Sequence, residues 1–160
     1  MHYFSKSVRT NFEDAVGATR QALEAHHLKI LAEIDLRDPL RRYLTADFRP
    51  YLILSACSLP LAHRAIQAND NIGSILLCNV VVQQREEGHV DISAVDPDAT
   101  IGTINDVDLM WTTRELRSLV QQAIDDVETL AEPQDLPRHS EAADRPLGWQ
   151  LGRTTAVSAA

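Results

Sequence analysis

Two cysteines and one histidine are the residues of this chain best suited to chemistry. Cys57, His63 and Cys78 all lie in the mostly apolar segment 47–84. A thiolate is a nucleophile and a soft metal ligand, and imidazole serves as a base or a ligand near neutral pH. The sequence therefore offers a catalytic pair, Cys57 with His63 as its base, and a metal site made by all three residues. The metal signal is weak, because Cys-x5-His-x14-Cys matches no standard zinc pattern.

The two cysteines occupy different positions in the predicted structure. Cys57 ends a strand and directly precedes a helix that begins near Ser58. The backbone N–H groups of a helix N-terminus favour a thiolate, so this position predicts a lowered pKa, and a small buried apolar residue is the alternative. Cys78 lies inside an apolar strand, where packing alone explains it. His63 is either a base for Cys57 or a polar anchor of the helix.

Three polar residues of the same segment are candidates for ligand binding: Arg49, Tyr51 and Asn79. Arg49 offers a clamp for an anion, and Asp47 nearby offers it an ordinary ion pair instead. Asn79 must find hydrogen-bond partners, either in a structural network or in the wall of a pocket. The sequence has no Gly-rich phosphate loop, Gly-x-Ser-x-Gly, Cys-x-x-Cys or His-Glu-x-x-His. P-loop phosphoryl transfer, nucleophile-elbow hydrolysis and thioredoxin-type exchange are therefore disfavoured.

Hydrophobic periodicity predicts the elements that position these residues. The predicted order is strand, helix, strand, strand, helix, strand, strand, helix, with a short extra helix near Pro39. A capping box that starts at Thr10 opens the first helix. The strand over 75–82 is predicted to be buried on both faces, and the turn at Gly88 predicts an antiparallel hairpin. The predicted fold class is α+β: a mostly antiparallel sheet of about five strands, with two main helices and a shorter one packed on it.

The chain is predicted to form one domain followed by a tail. From Asp106 onwards, apolar residues at helical spacing predict a long helix with one buried face, packed on its own sheet or on a partner subunit. After Ala131 the composition changes, and three of the seven prolines follow that residue. We therefore predict a single α+β domain over 1–131 and a tail over 132–160 that is flexible or draped on the surface.

Charge and composition narrow the classes of partner. The chain has 160 residues, 44% of them apolar, and a formal net charge of −8 at pH 7. Nucleic acid requires clustered Lys and Arg, and an anionic membrane surface repels an acidic protein, so neither is an expected partner. We see no signal peptide and no apolar run long enough to cross a bilayer. The sequence thus predicts a cytoplasmic protein whose cysteines are reduced thiols.

The chain resembles the bacterial and archaeal family known as domain of unknown function 302, or DUF302. The resemblance covers about residues 2 to 131 and is carried, in order, by these strings: Phe12-Glu13-Asp14-Ala15-Val16, Glu33-Ile34-Asp35, Asp47-Phe48-Arg49-Pro50-Tyr51, Ala56-Cys57, Pro60-Leu61-Ala62-His63-Arg64-Ala65, Cys78-Asn79-Val80-Val81-Val82 and Ala94-Val95-Asp96-Pro97. Two positions depart from the family pattern, since Leu59 and Leu77 stand where proline is usual. The resemblance implies a TATA-binding-protein-like α+β fold, often a homodimer, and no accepted activity. It implies that Cys57, His63 and Cys78 share a site.

The leading hypothesis is a non-catalytic, homodimeric binding module. Its cleft would be lined by Arg49, Tyr51, Cys57, His63 and Asn79. A small molecule, a metal ion or haem would be its ligand, and the sequence identifies no cofactor. The first alternative is a thiol-dependent enzyme or sulfur carrier, with Cys57 as nucleophile and His63 as base. The second alternative is an interaction module that dimerises and presents its tail.

Overall fold

The computed structural model describes residues 3–101 and 107–131. Strands and helices alternate along the chain, much as the sequence predicts. In order, the elements are β1 (Tyr3–Val8), α1 (Phe12–Ala25), β2 (Lys29–Asp35), α2 (Arg37–Leu44), β3 (Tyr51–Cys57), α3 (Leu59–Ala68), a 3-10 turn (Asp70–Ile75), β4 (Cys78–Glu86), β5 (His89–Val95), α4 (Pro97–Ile101) and α5 (Val107–Ala131). The α+β class and the short helix near Pro39 are confirmed, and α4 was not predicted.

The five strands form one antiparallel sheet in the order β1-β5-β4-β3-β2. The hairpin between β4 and β5 turns at Gly88, whose φ of 75° is a conformation that glycine adopts without strain. This confirms the predicted antiparallel pairing at that turn. The two sheet edges are β1 and β2, so the residues of β3, β4 and β5 lie between them. The candidate residues of β3 and β4 are therefore central in the sheet.

The hydrophobic core lies on one face of the sheet only. Helices α1 and α5 pack against each other and against the sheet, α1 mainly on β4 and β2, and α5 mainly on β1. Facing them, alternate strand residues are fully buried, among them Leu54 and Ile92. In β4, Cys78, Val80 and Val82 are buried beneath the helices. The residues between them are not: Asn79 is exposed and Val81 is half-buried. The prediction that this strand is buried on both faces is therefore wrong, because no described helix covers its second face.

Helix α1 begins with a different cap from the one predicted. Asn11 is the N-cap, and its side-chain oxygen accepts a hydrogen bond of 2.8 Å from the backbone N–H of Asp14. Asparagine is among the best N-cap residues, since its short side chain reaches a free N–H of the first turn. The capping box starting at Thr10 is thus displaced by one residue. The helix itself buries the predicted apolar stripe, including Val16 and Leu23.

Helix α5 confirms the long amphipathic helix predicted from Asp106 onwards. Its buried side chains repeat at intervals of three and four residues: Leu116, Val120, Ala123, Ile124 and Val127. They join the main core cluster of the same chain, so this face is covered within the subunit. The helix is also fixed at the end of β5, where the Nε of Arg117 lies 3.0–3.1 Å from both carboxylate oxygens of the buried Asp96.

The predicted boundary between domain and tail falls at the end of α5. The tail predicted over 132–160 lies outside the described residues. Within the part that is described, no helix is long and apolar enough to cross a membrane.

Candidate functional site

The sheet face opposite the helices carries most of the polar candidates, and we call it the uncovered face. Strand register defines three rows of side chains on it. From β1 to β2, the first row is Tyr3, Val95, Asn79, Ser55 and Ala32; the second is Ser5, Ser93, Val81, Ile53 and Ile34; the third is Ser7, Asp91, Gln83 and Tyr51. All of these side chains are exposed or half-buried except Ser55. Among the residues that the structure describes, no helix covers this surface, so they leave most of it accessible to a binding partner.

Arg49 and Tyr51 lie together at one end of the uncovered face. The guanidinium of Arg49 stands 4.6 Å from the ring centroid of Phe48 and 6.0 Å from that of Tyr51. Its Nη2 donates a 2.8 Å hydrogen bond to Oε1 of Gln83, which pairs with Tyr51 across β3 and β4. Stacking on aromatic rings limits the motion of a long side chain. We call Phe48, Arg49, Tyr51 and Gln83 the arginine corner, a fixed positive group at the surface.

Asn79 lies on the same face but in a different place. It lies four positions before Gln83 in β4, which corresponds to about 13 Å along a strand. Its Oδ1 accepts a 2.6 Å hydrogen bond from the hydroxyl of Ser55, the neighbour across β3. Ser55 is thus the hydrogen-bond partner that the sequence analysis requires for Asn79. Asn79 therefore does not adjoin the arginine corner, and the three predicted binding residues share one face without forming one cleft.

The other half of the face, towards β1, contains a depression of about 320 Å³. Three hydroxyls line it, those of Ser5, Ser7 and Ser93, together with Gln83, Arg85, Asp91 and the ring of Tyr3. Asp91 accepts a 2.5 Å hydrogen bond from the Ser7 hydroxyl and one of 2.7 Å from Nε of Arg85. These two donors, Ser7 first, hold the pKa of the Asp91 carboxyl below its ordinary value. Asp91 is thus a fixed carboxylate at neutral pH. We call this region the hydroxyl depression.

A second depression, of about 390 Å³, lies between α1 and the edge strand β2. Its main polar groups are Arg20 and Glu33, which are joined by two hydrogen bonds of 2.9 and 2.6 Å. The hydrogen bonds from Arg20 lower the pKa of the Glu33 carboxyl. Because the planar guanidinium and the carboxylate satisfy each other in this bidentate pair, they have little capacity left for a ligand. The uncovered face is the better candidate site.

Both cysteines are free thiols and both are buried. Burial raises the pKa of the Cys57 thiol, and burial together with the nearby Cys57 raises that of Cys78 to about 12. The predicted lowering of the Cys57 pKa is therefore wrong in direction. Desolvation disfavours the thiolate, and here it outweighs the position beside the N-terminus of α3. Ser58, the N-cap of that helix, makes no capping hydrogen bond through its side chain.

His63 is exposed on α3, whereas both cysteines are buried. Within residues 3–101 and 107–131, no three His, Cys, Asp or Glu side chains are grouped so that they could hold a metal ion. Cys57, His63 and Cys78 are thus not brought together as a set of three ligands. Cys57 and Cys78 lie near one another, since their strands are neighbours and Ala56 pairs with Cys78.

The sequence analysis missed the residues of the hydroxyl depression. Ser5 and Ser7 alternate with Phe4 and Lys6 in β1, and Asp91 and Ser93 alternate with apolar residues in β5. A polar residue at every second position of two neighbouring strands is the signal of an uncovered face. The signal is weak because serine has no distinctive chemistry and because Val81 interrupts the polar alternation in β4.

Comparisons with known proteins identify the family of this chain but no activity. The family model described as "Domain of unknown function DUF302" matches residues 4–127. Among solved structures, the chain is similar to the crystal structure of an uncharacterized conserved DUF302 protein from Bacillus stearothermophilus, with a TM-score of 0.71 and 23% sequence identity. That similarity covers 79% of this chain and 98% of the other, and at this identity it shows the fold alone. Comparison with curated proteins finds no match. The chain belongs to the DUF302 family.

Proposed function

We propose that this protein is a non-catalytic, homodimeric binding module that takes a small polar ligand on the uncovered face. The observation that supports it is a five-stranded sheet whose second face bears no described helix and is lined by polar side chains. Polar groups that converge in a depression of an accessible surface can orient a ligand there. The arginine corner and the hydroxyl depression both lie on this face.

Gln83 is the residue that links these two regions. Its Oε1 accepts the hydrogen bond from Arg49, and its side chain also lines the hydroxyl depression beside Asp91. The Gln83 amide nitrogen has two N–H groups that are suited to a ligand. A ligand that occupies either part of the face therefore meets Gln83 or a residue that it holds in place.

A thermal-shift panel of metal ions, haem, and anionic and neutral metabolites tests the proposal. We expect at least one compound to raise the melting temperature, because a ligand that binds only the folded state stabilises it. Gln83→Leu is expected to weaken the binding of that compound by about tenfold, as is typical for one lost hydrogen bond in a polar site. The matched control is Gln122→Leu, since Gln122 is exposed on α5 and bonds only to Ser118 among described residues. An unchanged melting temperature with every compound, or equal loss in the two variants, would count against the proposal.

The proposal includes a homodimer, and the surface of β2 and α2 supports it. Four large apolar side chains in this short stretch are exposed by 44–78%: Leu31, Ile34, Tyr43 and Leu44. No residue of helix α2 is fully buried, although the helix is strongly amphipathic. It also carries three arginines and one aspartate, and β2 carries Glu33 and Asp35, so this surface has charges of both signs to offer to the same surface of a second copy. We call this region the β2–α2 surface.

Side chains, rather than strand addition, form the contact in this dimer. The strand β2 carries Lys29, Glu33 and Asp35, and its register shifts between Ile30 and Ala32. Charges and bulges on an edge strand oppose pairing with another edge. These features of β2 do not prevent the exposed side chains of α2 from contacting a second copy.

Sedimentation equilibrium tests the dimer and its surface. We expect Tyr43→Ser to weaken dimerisation by at least about tenfold, because exposed tyrosines at interfaces contribute strongly to binding. Trp111→Ser is the matched control, since Trp111 is exposed by 66% but lies on α5. A wild-type protein that sediments as a monomer contradicts the dimer. Equal weakening by both substitutions would place the interface elsewhere.

A further inference from the structure

The hydroxyl depression has a composition that restricts the chemistry of its ligand. It is lined by the hydroxyls of Ser5, Ser7 and Ser93, the amide of Gln83 and one pair of opposite charges. Within the described part of the chain, no aliphatic side chain lines it, and Tyr3 supplies an aromatic ring. A lining of this type offers many hydrogen bonds and little apolar area. It therefore favours a ligand that carries many hydrogen-bonding groups of its own.

The charges of the depression cancel each other. The guanidinium of Arg85 is bound to the carboxylate of Asp91 at 2.7 Å, and among the described residues no second cation lines the depression. An anionic ligand at Arg85 would lie beside the carboxylate of Asp91, which repels it, and it would meet a chain of net charge −8. A cationic ligand at Asp91 would likewise lie beside the guanidinium of Arg85. The charge arrangement favours a neutral ligand.

The polar groups of the depression can donate and accept in alternation. The Asp91 carboxylate has about four acceptor positions and uses two of them for Ser7 and Arg85. Arg85 uses its Nε for Asp91, and its two terminal nitrogens remain suited to donate. A serine hydroxyl does both. A ligand hydroxyl also donates and accepts, so it can bond to the donors and to the acceptors of the depression.

The spacing of these groups follows from the strand register. Ser5 lies opposite Ser93, Ser7 lies opposite Asp91, and Asp91 lies opposite Gln83. Neighbouring strands are about 4.8 Å apart, so side chains that face each other across two strands can contact different hydroxyls of one small ring. Tyr3, exposed by 56%, borders the depression with an aromatic ring that can pack on the C–H face of such a ring.

From these features we infer that the hydroxyl depression binds a neutral polyhydroxylated small molecule, a sugar or a cyclic polyol. The inference rests on the proposed binding function of the uncovered face and names the ligand class. Asp91 and Arg85 would each hold hydroxyls of the ligand, and Ser7 would keep the Asp91 carboxylate in place. No bond of the ligand is broken.

Titration of the isotopically labelled full chain, followed by amide chemical shifts, tests the inference. The probes are D-glucose and myo-inositol, with D-glucose 6-phosphate as the anionic counterpart. We expect saturable shifts in β1, β4 and β5 with at least one neutral probe, and no tighter binding of the phosphate ester. Asp91→Asn should weaken the binding of the neutral probe by about tenfold, since it removes a charge-assisted acceptor. Ser5→Val, an exposed position in the edge strand, should weaken it without altering the fold.

Ile66→Val is the control, because Ile66 is exposed on α3 and lies outside the sheet face. This variant should bind the neutral probe with the affinity of the wild type. Absence of saturable shifts with both neutral probes overturns the inference, as does tighter binding of D-glucose 6-phosphate. If the neutral probes fail while an anionic compound binds in a way that Arg49→Ala abolishes, the ligand class is wrong and the binding function stands. If no compound of any class binds, both are wrong.

Discussion

Replacing Leu54 with alanine is expected to lower the free energy of unfolding by about 2–5 kcal/mol, as is typical when a buried leucine is truncated. Leu54 is fully buried in the middle of β3, within the core cluster beneath α1. Its removal leaves a cavity that the surrounding side chains fill only in part. Urea denaturation measures the change as a lower midpoint with an unchanged slope.

The neighbouring residue provides the matched control for this prediction. Ile53 is next to Leu54 in β3, but it lies on the uncovered face and is half-buried. Ile53→Ala is expected to cost only about 1 kcal/mol, because little apolar surface is removed from contact. The difference between the two variants measures how one-sided the core is. Equal losses would mean that the second face is covered in solution, which would contradict the proposed ligand surface.

Both cysteines are expected to resist alkylation in the native protein. With a pKa of about 12, Cys78 has a thiolate fraction on the order of 10⁻⁴ at pH 8, whereas a free thiol with a pKa near 8.5 is about one quarter ionised. The suppression is therefore roughly a thousandfold before steric protection is considered. Cys57 has its pKa raised in the same direction, and it is also buried. Iodoacetamide labelling followed by mass spectrometry, over a range of pH, measures both rates.

Single cysteine variants and unfolded protein complete this experiment. Cys57→Ser and Cys78→Ser assign each rate to one thiol, and both thiols should react at ordinary rates in denaturant. The alkylation rate of native protein should keep rising above pH 9, because the pKa of each thiol is raised above the ordinary pKa of cysteine. Rapid native labelling of Cys57 with a midpoint below pH 8 would contradict the burial argument. That result would favour the thiol enzyme or sulfur carrier, with His63 as base.

The sequence predicts the fold well where one local pattern decides the structure. Alternation, helical spacing and turn residues place nearly every strand and helix, and Gly88 specifies the hairpin. The predicted capping box failed by one residue, because Thr10 and Asn11 are both suitable caps. Which face of the sheet is covered is decided by where α1 and α5 pack. Periodicity within a single strand cannot reveal that arrangement.

The candidate site is less predictable because it depends on which side chains share a face. Arg49 and Tyr51 were identified from their residue types, and the structure places them together. The pKa of Cys57 depends on a balance between desolvation and a helix terminus, and sequence position gives only the second of these. Ser7 is far from Arg85 and Asp91 in the sequence, and it meets them only through the register of β1, β5 and β4. The pairing of strands brings the residues of the hydroxyl depression together, and no local sequence motif marks them.

Amide chemical-shift mapping of a bound ligand tests the ligand-binding surface most directly. The compound with the largest thermal shift is titrated into labelled protein, and the shifted amides are placed on the sheet and helices. We predict that they cluster on β1, β5, β4 and β3, where the uncovered face carries its polar rows. Shifts confined to the exposed surfaces of α1 and α5, with the strands unchanged, would contradict the uncovered face as the binding surface.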